Sequence, residues 1–395
     1  MNEEKYYTDF CTGCGLCKTA VGVEYITKDG FEYPKSLNAE QIEFCEKICP
    51  VKAINFNNRT DDELWGPNVG CYSGWSTNTK IRHKSATGGI ITSLCCYLIE
   101  SKKCDAIIQV SSLRDNPFSL TLKINKTVDD IIECSSSKYI TYMTYADLEN
   151  KIDYNQKYAI IGKPCDIEAI TNYMRINKDL NSCIKYRLTF FCAGAPSVNS
   201  NKNLATTISG VSLNNIKSIR YHGNGWPGKA EITLNDNSKK TMEYIDSWNY
   251  YLGRDIRKMC KFCTNGIGIY ADISCGDLWK LKDNKPTFDD APGVNIVFAR
   301  SEIGNALLQE AKSSGYIVLE NYNNAEKLEH IQPNHYNMQT RTFAKILGLA
   351  LTSFGSRQVP KYNLKQLHKH SKGVPALVQI KTILGTIKRK ITNQL

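Results

Sequence analysis

Five cysteines within the first fifty residues constrain this chain more than any other feature. Residues 11–17 read CTGCGLC, and residues 45–50 read CEKICP. A four-iron cluster needs four thiolates that converge on one centre, and C-x2-C-x2-C on a tight loop supplies three of them. The fourth commonly comes from a Cys that precedes a Pro. The predicted ligands of one [4Fe–4S] cluster are therefore Cys11, Cys14, Cys17 and Cys49.

The spacing predicts one cluster in this segment rather than two. In two-cluster ferredoxins a Cys for the second cluster follows the first triplet after three residues, but residues 18–21 here are KTAV. Cys45 is then a spare thiol. Gly13 and Gly15 allow the backbone to turn sharply and to direct N–H groups at the sulfurs. Zinc is the alternative occupant because four cysteines also bind zinc, although the ligand spacing favours iron–sulfur.

The composition outside this segment is that of a cytoplasmic globular protein. The opening MNEEKYYTDF has no apolar core of a signal peptide, and no run approaches the roughly 18 apolar residues of a membrane-spanning helix. In a reducing compartment, 16 cysteines are better explained as metal ligands, redox groups and core residues than as disulfides.

Positive charge is concentrated at the C-terminal end. After Glu329 the chain carries 11 Lys and Arg and no Asp or Glu, whereas residues 1–329 hold 39 charges of each sign. In residues 376–392 Lys381, Lys388 and Arg389 flank an apolar helical stripe, a pattern typical of interfacial helices. The helix either associates with an anionic surface at the inner face of the membrane or docks on its own protein. The stripe consists of Ala376, Ile380, Ile383, Leu384, Ile387 and Ile391.

The order of elements predicts an α/β fold of mixed character in three parts. Residues 1–60 form a ferredoxin-like iron–sulfur domain, residues 61–330 an α/β domain, and residues 331–395 a basic helical extension. The middle part has a helix from about Gly89 to Glu100 followed by a strand, and strand-like runs at 157–162 and 185–191 that each precede a helix. Such alternation predicts partly parallel strands. Residues 216–244 predict a β-meander attached to the sheet.

A second set of cysteines follows these strands. Cys165 and Cys192 each come directly after a predicted strand, where open α/β sheets gather their ligands. Cys260 and Cys263 form a C-x2-C pair. On spacing alone this set of four could serve a cluster, a zinc ion or a redox dithiol.

Six ordered motifs over about residues 1–300 resemble the coenzyme F420 hydrogenase/dehydrogenase beta-subunit family. They are RHKSATGGIITSLCCYLIE, SSSKYI, YAIIGKPCDIEAI, FFCAGAPS, IRYHGNGWPGKAEI and CKFCTNGIGIYADISCGDLW. The resemblance implies an oxidoreductase with FAD and iron–sulfur. It also implies that Cys165, Cys192, Cys260 and Cys263 hold a second [4Fe–4S] cluster beside the flavin. Ser85-Ala86-Thr87 and Cys275 depart from the residues expected at those positions, and Cys275 is interpreted as a buried core residue.

Several residues are predicted to hold FAD or to move protons. Thr87, Gly88 and Gly89 can offer backbone N–H groups and a helix N-terminus to a phosphate, and Ser136, Ser137 and Lys138 can add hydroxyls and a charge. The place of the loop HGNGWPG in the family pattern implies that Asn224, Gly225 and Trp226 contact flavin or substrate. The candidate proton donors are His222 and Tyr139.

The main hypothesis is an enzyme that passes electrons from reduced ferredoxin, or a similar low-potential carrier, through two clusters to FAD and on to an organic substrate of unknown identity. A beta subunit that binds coenzyme F420 within a larger hydrogenase or dehydrogenase is the first alternative, and a non-catalytic electron-relay subunit is the second. A zinc-structured nucleic-acid binder would leave the glycine motifs unexplained, so no nucleic-acid partner is expected.

Overall fold

The N-terminal segment is a small helix–hairpin–helix unit. The structure, a computed structural model, describes residues 9–51, 64–113, 115–352, 359–360, 362–392 and 394–395. Helix α1 (Leu16–Val21) leads to the antiparallel pair β1 (Tyr25–Lys28) and β2 (Phe31–Pro34), and then to α2 (Ala39–Ile48). The predicted boundary near residue 60 lies outside the described residues, and the division into three domains stays a prediction.

A mixed eight-stranded sheet forms the centre of the protein. The strands after β2 are β3 (Gly70–Ser76), β4 (Ala106–Ser112), β5 (Leu120–Asn125), β6 (Tyr158–Gly162), β7 (Ile184–Phe190), β8 (Ile216–Arg220), β9 (Lys229–Leu234), β10 (Lys239–Glu243), β11 (Ile273–Asp277), β12 (Leu281–Lys282), β13 (Lys285–Pro286), β14 (Asn295–Ala299) and β15 (Ile317–Asn321). The strand order in the central sheet is β15-β3-β14-β11-β7-β6-β4-β5. Strands β4, β6, β7 and β11 run parallel to their neighbours in that series, and the outer pairings are antiparallel. The predicted α/β class is therefore confirmed.

Helices cover both faces of this sheet, so an inner strand such as β6, with the sequence YAIIG, is apolar along its length. The helices after α2 are α3 (Thr79–Lys84), α4 (Ile90–Glu100), α5 (Val128–Glu133), α6 (Leu148–Lys151), α7 (Pro164–Ile176), α8 (Lys178–Cys183), α9 (Val198–Ser209), α10 (Tyr244–Asp246), α11 (Glu302–Ser313), α12 (Leu328–Ile331), α13 (Pro333–Leu351), α14 (Leu364–Ser371) and α15 (Ala376–Ile391). Residues of α4 and α11 pack against one face together with Ile107 and Val297, and α7 packs against the other face with Ile108 and Ile160.

The predicted meander exists, but it is not part of the central sheet. Strands β8, β9 and β10 form a separate three-stranded antiparallel sheet. Ile216 and Ile232 of this sheet share an apolar cluster with Ala205 of α9 and Leu120 of β5. The meander therefore packs beside the edge strand β5 through side chains instead of extending the ladder.

The C-terminal helix α15 docks on its own protein along one side. Gly348 of α13 makes this close approach possible, because a Cβ at that position would lie 2.7 Å from the Ile383 carbonyl oxygen. The opposite side is apolar and open to solvent, with Leu377, Ile380 and Leu384 exposed by 72%, 50% and 59%. No helix in the described part of the chain is long and apolar enough to span a bilayer.

Candidate functional site

The four N-terminal cysteines predicted to bind a cluster converge at the start of the protein. Cys11, Cys14 and Cys17 lie on the loop before α1 and in its first turn, and α2 delivers Cys49 at its C-terminal cap. All four are free thiols. The charges of other members of the set contribute to the pKa of Cys11, Cys14 and Cys49, so the four thiols lie close together. We call this set the outer thiols.

Burial disfavours the ionised form of the outer thiols unless a positive charge compensates it. Burial raises the pKa of Cys11, and the Arg257 guanidinium partly opposes this effect. Burial, followed by the charge of neighbouring thiols, raises the pKa of Cys14 and Cys49. Four thiolates at this site therefore require a bound cation or cluster to be stable.

Cys45 lies against this group although it was predicted to be a spare thiol. It is buried at 2% exposure, and its hydrogen bond to Cys17 is the largest of the causes that lower the pKa of Cys17. The Tyr25 hydroxyl lies 3.0 Å from the Cys17 sulfur, and the Gly13 N–H donates to the Cys11 sulfur at 3.3 Å. Gly13 thus directs its N–H group at a sulfur of the loop, and Tyr25 of β1 contacts a second sulfur.

The second set of four cysteines lines one cavity of about 260 Å³. Cys165 lies in the first turn of α7, Cys192 follows β7, and the single-turn helix Lys258–Phe262 carries Cys260 and leads into Cys263. The resemblance predicted this grouping, and the structure brings the four residues together. Thr12 of the outer-thiol loop lines the same cavity, so the two thiol sets are neighbours. We call the second set the inner thiols.

The described residues contain no group of three or more His, Cys, Asp or Glu side chains arranged to hold a single metal ion. Both thiol sets are free of disulfides. In a closed zinc site four sulfurs lie about 2.3 Å from one ion, whereas a cluster separates its ligands by the width of the iron–sulfur cube.

A second cavity lies at the carboxyl ends of β6, β7 and β11, and we call it the sheet-end cavity. Its lining contains Gly162 and Phe190 at the ends of two parallel strands and Asp277 at the end of a third. Most of the residues predicted to hold FAD meet here, although their segments are far apart in the chain. These lining residues are Thr87, Gly89, Ser136, Ser137 and Lys138, and the candidate proton donor Tyr139 lines the cavity beside them.

One end of the sheet-end cavity suits an anion. Helix α4 begins there, and its first-turn residues Ile90, Ile91 and Thr92 line the cavity with N–H groups that have no partner within the helix. Burial lowers the pKa of Lys138 to about 8, and its ammonium donates to the Ser135 and Ser136 carbonyls at 3.1 and 3.0 Å. Lys138 is thus fixed in position before any ligand binds.

Asp277 organises a further part of the lining of this cavity. The Thr87 hydroxyl donates to its Oδ1 at 2.7 Å, and the Trp226 indole N–H donates to the same oxygen at 2.8 Å. Burial raises the pKa of this carboxyl to about 6, although these hydrogen bonds oppose the rise. A carboxyl with this pKa can hold or release a proton near neutral pH.

The glycine loop contacts the sheet-end cavity only indirectly. Its member Trp226 reaches Asp277, whereas Asn224 and Gly225 do not line the cavity. His222 also lies outside the lining, stacked at 4.3 Å between ring centroids on Tyr244. Burial lowers the pKa of His222 to about 3, so it is neutral near pH 7. Of the two candidate proton donors, Tyr139 therefore lines the cavity and His222 does not.

Lys163 links the sheet-end cavity to the inner thiols, and no motif analysis singled it out. It lines both cavities and donates to Asp166 at 2.6 Å and to Thr144 at 3.0 Å. Burial alone would lower the pKa of Lys163, but the Asp166 carboxylate and the Cys165 thiol outweigh burial and raise it. Its position directly after β6, in GKPC, was the available sequence signal.

Arg257 is the second functional candidate that sequence reasoning missed. Its side chain is fully buried and donates to the Glu32 carbonyl at 2.9 Å and to the Thr141 hydroxyl at 3.0 Å. Its positive charge lowers the pKa of both Cys11 and Cys260, although burial raises both overall. Arg257 therefore lies between the outer and inner thiols. Its partners are up to 225 residues away in the chain, so no local pattern marks it.

Comparison with known proteins points to one family. Two family models match, one for the N-terminal part of the coenzyme F420 hydrogenase/dehydrogenase beta subunit over residues 71–148 and one for its C terminus over residues 155–325. The F420-dependent formate dehydrogenase subunit beta of Methanocaldococcus jannaschii is 24% identical over 61% of this chain and 59% of that subunit. The chain thus matches little more than half of that relative's length.

Two further relatives come from methanogens of another genus. The coenzyme F420 hydrogenase subunit beta of Methanosarcina barkeri is 22% identical over 65% of this chain and 82% of that protein. An F(420)H(2) dehydrogenase subunit of Methanosarcina mazei is 22% identical over 75% of this chain and 80% of that protein. These relatives are named as subunits of oxidoreductases.

A solved structure shares the fold. A chain of the F420-reducing [NiFe] hydrogenase complex from Methanosarcina barkeri superposes with a TM-score of 0.58 at 20% identity, over 77% of this chain and 99% of that chain. The two family models together cover more than half of the chain. The chain therefore belongs to the coenzyme F420 hydrogenase/dehydrogenase beta-subunit family.

Proposed function

We propose that this protein is an electron-transfer oxidoreductase subunit with two [4Fe–4S] clusters and FAD, and that it exchanges electrons between a redox partner and a two-electron carrier. One observation carries this proposal, namely the continuous series of sites from the outer thiols to the sheet-end cavity. Thr12 joins the outer thiols to the inner cavity, and Lys163 joins that cavity to the sheet-end cavity.

The donor sets fit iron–sulfur clusters. Eight free cysteines form two groups of four, and buried positive charge lies beside each group. Arg257 faces Cys11 and Cys260, and Lys163 faces Cys165. Thiolate ligands give a bound cluster net negative charge, which these fixed cations stabilise. The clusters would be held by Cys11, Cys14, Cys17 and Cys49, and by Cys165, Cys192, Cys260 and Cys263.

The sheet-end cavity fits a dinucleotide flavin. The N-terminus of α4 supplies backbone N–H donors for a pyrophosphate. Lys138, whose N–H groups are bound to backbone carbonyls, adds positive charge, and Ser137 adds a hydroxyl. Phe190 and Phe191 supply an apolar wall at the end that borders Lys163. Thr87 and Gly89 place the helix start, and Asn295 supports it by accepting from the Ile90 N–H at 3.4 Å.

The residues of the sheet-end cavity also handle protons. FAD, when bound, would supply two-electron chemistry, and the clusters would supply single-electron transfer. Asp277 holds a proton below about pH 6, and Thr87 and Trp226 fix its orientation. Burial raises the pKa of Tyr139 to about 12, so its hydroxyl stays protonated and can donate a hydrogen bond. Both side chains can deliver or hold a proton at this cavity.

The two-electron carrier in this proposal is coenzyme F420 or a related deazaflavin, because the relatives are named for F420-dependent reactions. Reduction of an organic substrate with electrons from ferredoxin is the second candidate, favoured by the outer thiols that the chain carries in addition to the inner ones. A fluorescence titration with F420 separates the two candidates, since the second predicts no saturable binding.

A peripheral contact with an anionic membrane belongs to the same proposal. The exposed face of α15 presents Leu377, Ile380, Leu384 and Ile391, of which the last is exposed by 72%. Lys381 and Lys388 are exposed on the same helix. Apolar side chains beside lysines are the arrangement that inserts into the headgroup region of anionic bilayers.

The decisive experiment is the cofactor content of protein purified without oxygen. We expect about eight irons and one FAD per chain, which is the sum of two four-iron clusters and one flavin. Cys165→Ala should remove about half of the iron and keep the outer cluster, whereas Cys183→Ala, a buried cysteine outside both thiol sets, should keep all of it. Zinc in place of iron, or equal iron in both variants, would refute the assignment.

A further inference from the structure

A large surface cavity adjoins the inner thiols on the side away from the sheet-end cavity. Its volume is about 860 Å³. Four residues, Ala193, Gly253, Cys260 and Met338, line both this cavity and the inner thiol cavity. These four residues therefore form the wall between the two spaces, and two of them carry almost no side chain. A molecule in the surface cavity would be separated from the inner thiols by a single layer of residues.

Positive side chains dominate the lining of this surface cavity, which we call the basic cavity. It has five cationic and two anionic side chains. Lys258 pairs with Asp9 at 3.4 Å, and Asp255 accepts a hydrogen bond from the Ser197 hydroxyl. The cations are Arg254, Lys258, Lys261, Lys345 and Arg389, and the carboxylates are Asp29 and Asp255.

Three of these cations, Lys261, Lys345 and Arg389, lie close together, and their like charges repel one another. Lys261 donates to the Gln394 carbonyl at 2.8 Å, and Lys345 donates to the Lys261 carbonyl at 2.9 Å. Such bonds satisfy hydrogen-bonding needs but leave the charges in place. Burial lowers the pKa of Lys345 to about 8, and the charges of Arg389 and Arg341 contribute to this lowering. The site thus holds unfavourable positive charge that an anionic partner would relieve.

The helical extension completes the basic cavity. Arg389 on α15 and Lys345 on α13 reach it from the last part of the chain, whereas Arg254 and Lys261 come from the segment that carries Cys260. Cations from three separate segments of the chain therefore line one cavity. Five cations from three segments are more than one compact small anion can contact, so the site suits the acidic face of a protein.

We propose that the basic cavity is the docking site for an acidic electron-carrier protein that exchanges electrons with the inner thiol site through the thin wall at Cys260. This inference rests on the proposed function, because it requires a cluster on the inner thiols. Each transfer moves one electron from the reduced carrier to that cluster, so the carrier is oxidised, the cluster is reduced, and no bond or proton moves. Docking here gives the inner thiol site a second route for electrons, in addition to the route through the outer thiols.

The test uses a matched pair of charge reversals on one helix. Arg389→Glu changes a cation that lines the basic cavity, and Lys381→Glu changes an exposed cation of α15 outside it. The probe is an acidic plant-type ferredoxin, and calorimetry measures the affinity of its oxidised form for the full chain with its cofactors. We expect Arg389→Glu to weaken binding about tenfold and Lys381→Glu to leave it within about twofold, since charge reversal opposes an acidic partner only at the contact.

A second measurement separates docking from damage to the cluster. Reduced methyl viologen is a small cation that does not need the basic cavity, so it should reduce the clusters of the wild type and both variants at equal rates. Equal weakening of ferredoxin binding by the two variants, or equal affinity in all three proteins, would overturn the docking site while the proposed function stands. A chain without iron would overturn both.

Discussion

The contact between Gly13 and Arg257 predicts a large effect for a single added methyl group. Gly13 has a φ of +74°, and a Cβ there would lie 2.6 Å from both Cζ and Nη2 of Arg257. The guanidinium is the end of a long side chain, but it is fully buried and bound to Thr141 and Glu32. Gly13→Ala therefore has to break at least one of these bonds or move the cluster loop.

The expected cost has two parts. A non-glycine residue in the left-handed region costs roughly 1–2 kcal/mol, and loss of one hydrogen bond of a buried charged group costs roughly 1.5–3 kcal/mol. Gly13→Ala should therefore destabilise the protein by about 2.5–5 kcal/mol. Gly22 offers the matched control, because it has a φ of +66° and open space around its Cβ position. Gly22→Ala should cost only the strain, roughly 1–2 kcal/mol.

The assay is urea unfolding of anaerobically purified protein, combined with iron analysis. We expect a lower urea midpoint and loss of the outer cluster for Gly13→Ala, and a smaller shift with full iron for Gly22→Ala. In an Arg257→Ala background the extra cost of Gly13→Ala should disappear, because the atoms that the methyl group meets are gone. Equal destabilisation by the two glycine variants would refute the reasoning that the guanidinium is held in place.

Three further predictions concern other parts of the site. Burial raises the pKa of Asp277 from 3.8 to about 6, so its stabilising contribution is complete below about pH 4 and is lost as pH rises to about 6. This pKa shift corresponds to roughly 3 kcal/mol of unfolding free energy. Asp277→Asn should therefore flatten the dependence of stability on pH in urea melts from pH 4 to 7, and an unchanged slope would contradict the prediction. Arg257→Gln should make the reduction potentials of both clusters more negative in an EPR-monitored redox titration, because a positive charge beside a cluster favours its reduced form. Arg257→Lys, which keeps the charge, should stay closer to the wild type. A shift of Arg257→Gln toward positive potential would exclude this electrostatic role of Arg257. Leu384→Glu should abolish sedimentation of the protein with vesicles rich in phosphatidylserine. Val69→Glu should not, because Val69 is an apolar residue exposed by 46% away from α15. Equal loss of sedimentation with both variants would contradict a specific contact through α15.

Local spacing in the sequence determined much of this protein. The C-x2-C-x2-C loop needs only a few consecutive residues, so it was readable without a fold. The helix predicted from about Gly89 to Glu100 extends over Ile90–Glu100, and the strand predicted at 157–162 extends over Tyr158–Gly162. Dense apolar runs and glycine at a helix start are local signals, and the tertiary structure preserved them.

Only the tertiary structure decided which distant side chains share a site. Arg257 reaches Glu32, and Thr87 and Trp226 meet at Asp277, across separations of 225, 190 and 51 residues. The sequence offered His222 as a candidate proton donor, whereas in the fold it stacks on Tyr244 and lies outside the cavity lining. Periodicity reports which face of an element is buried, and it carries no information on which other element covers that face. The thiols could therefore be found from the sequence, whereas the buried charges beside them required the fold.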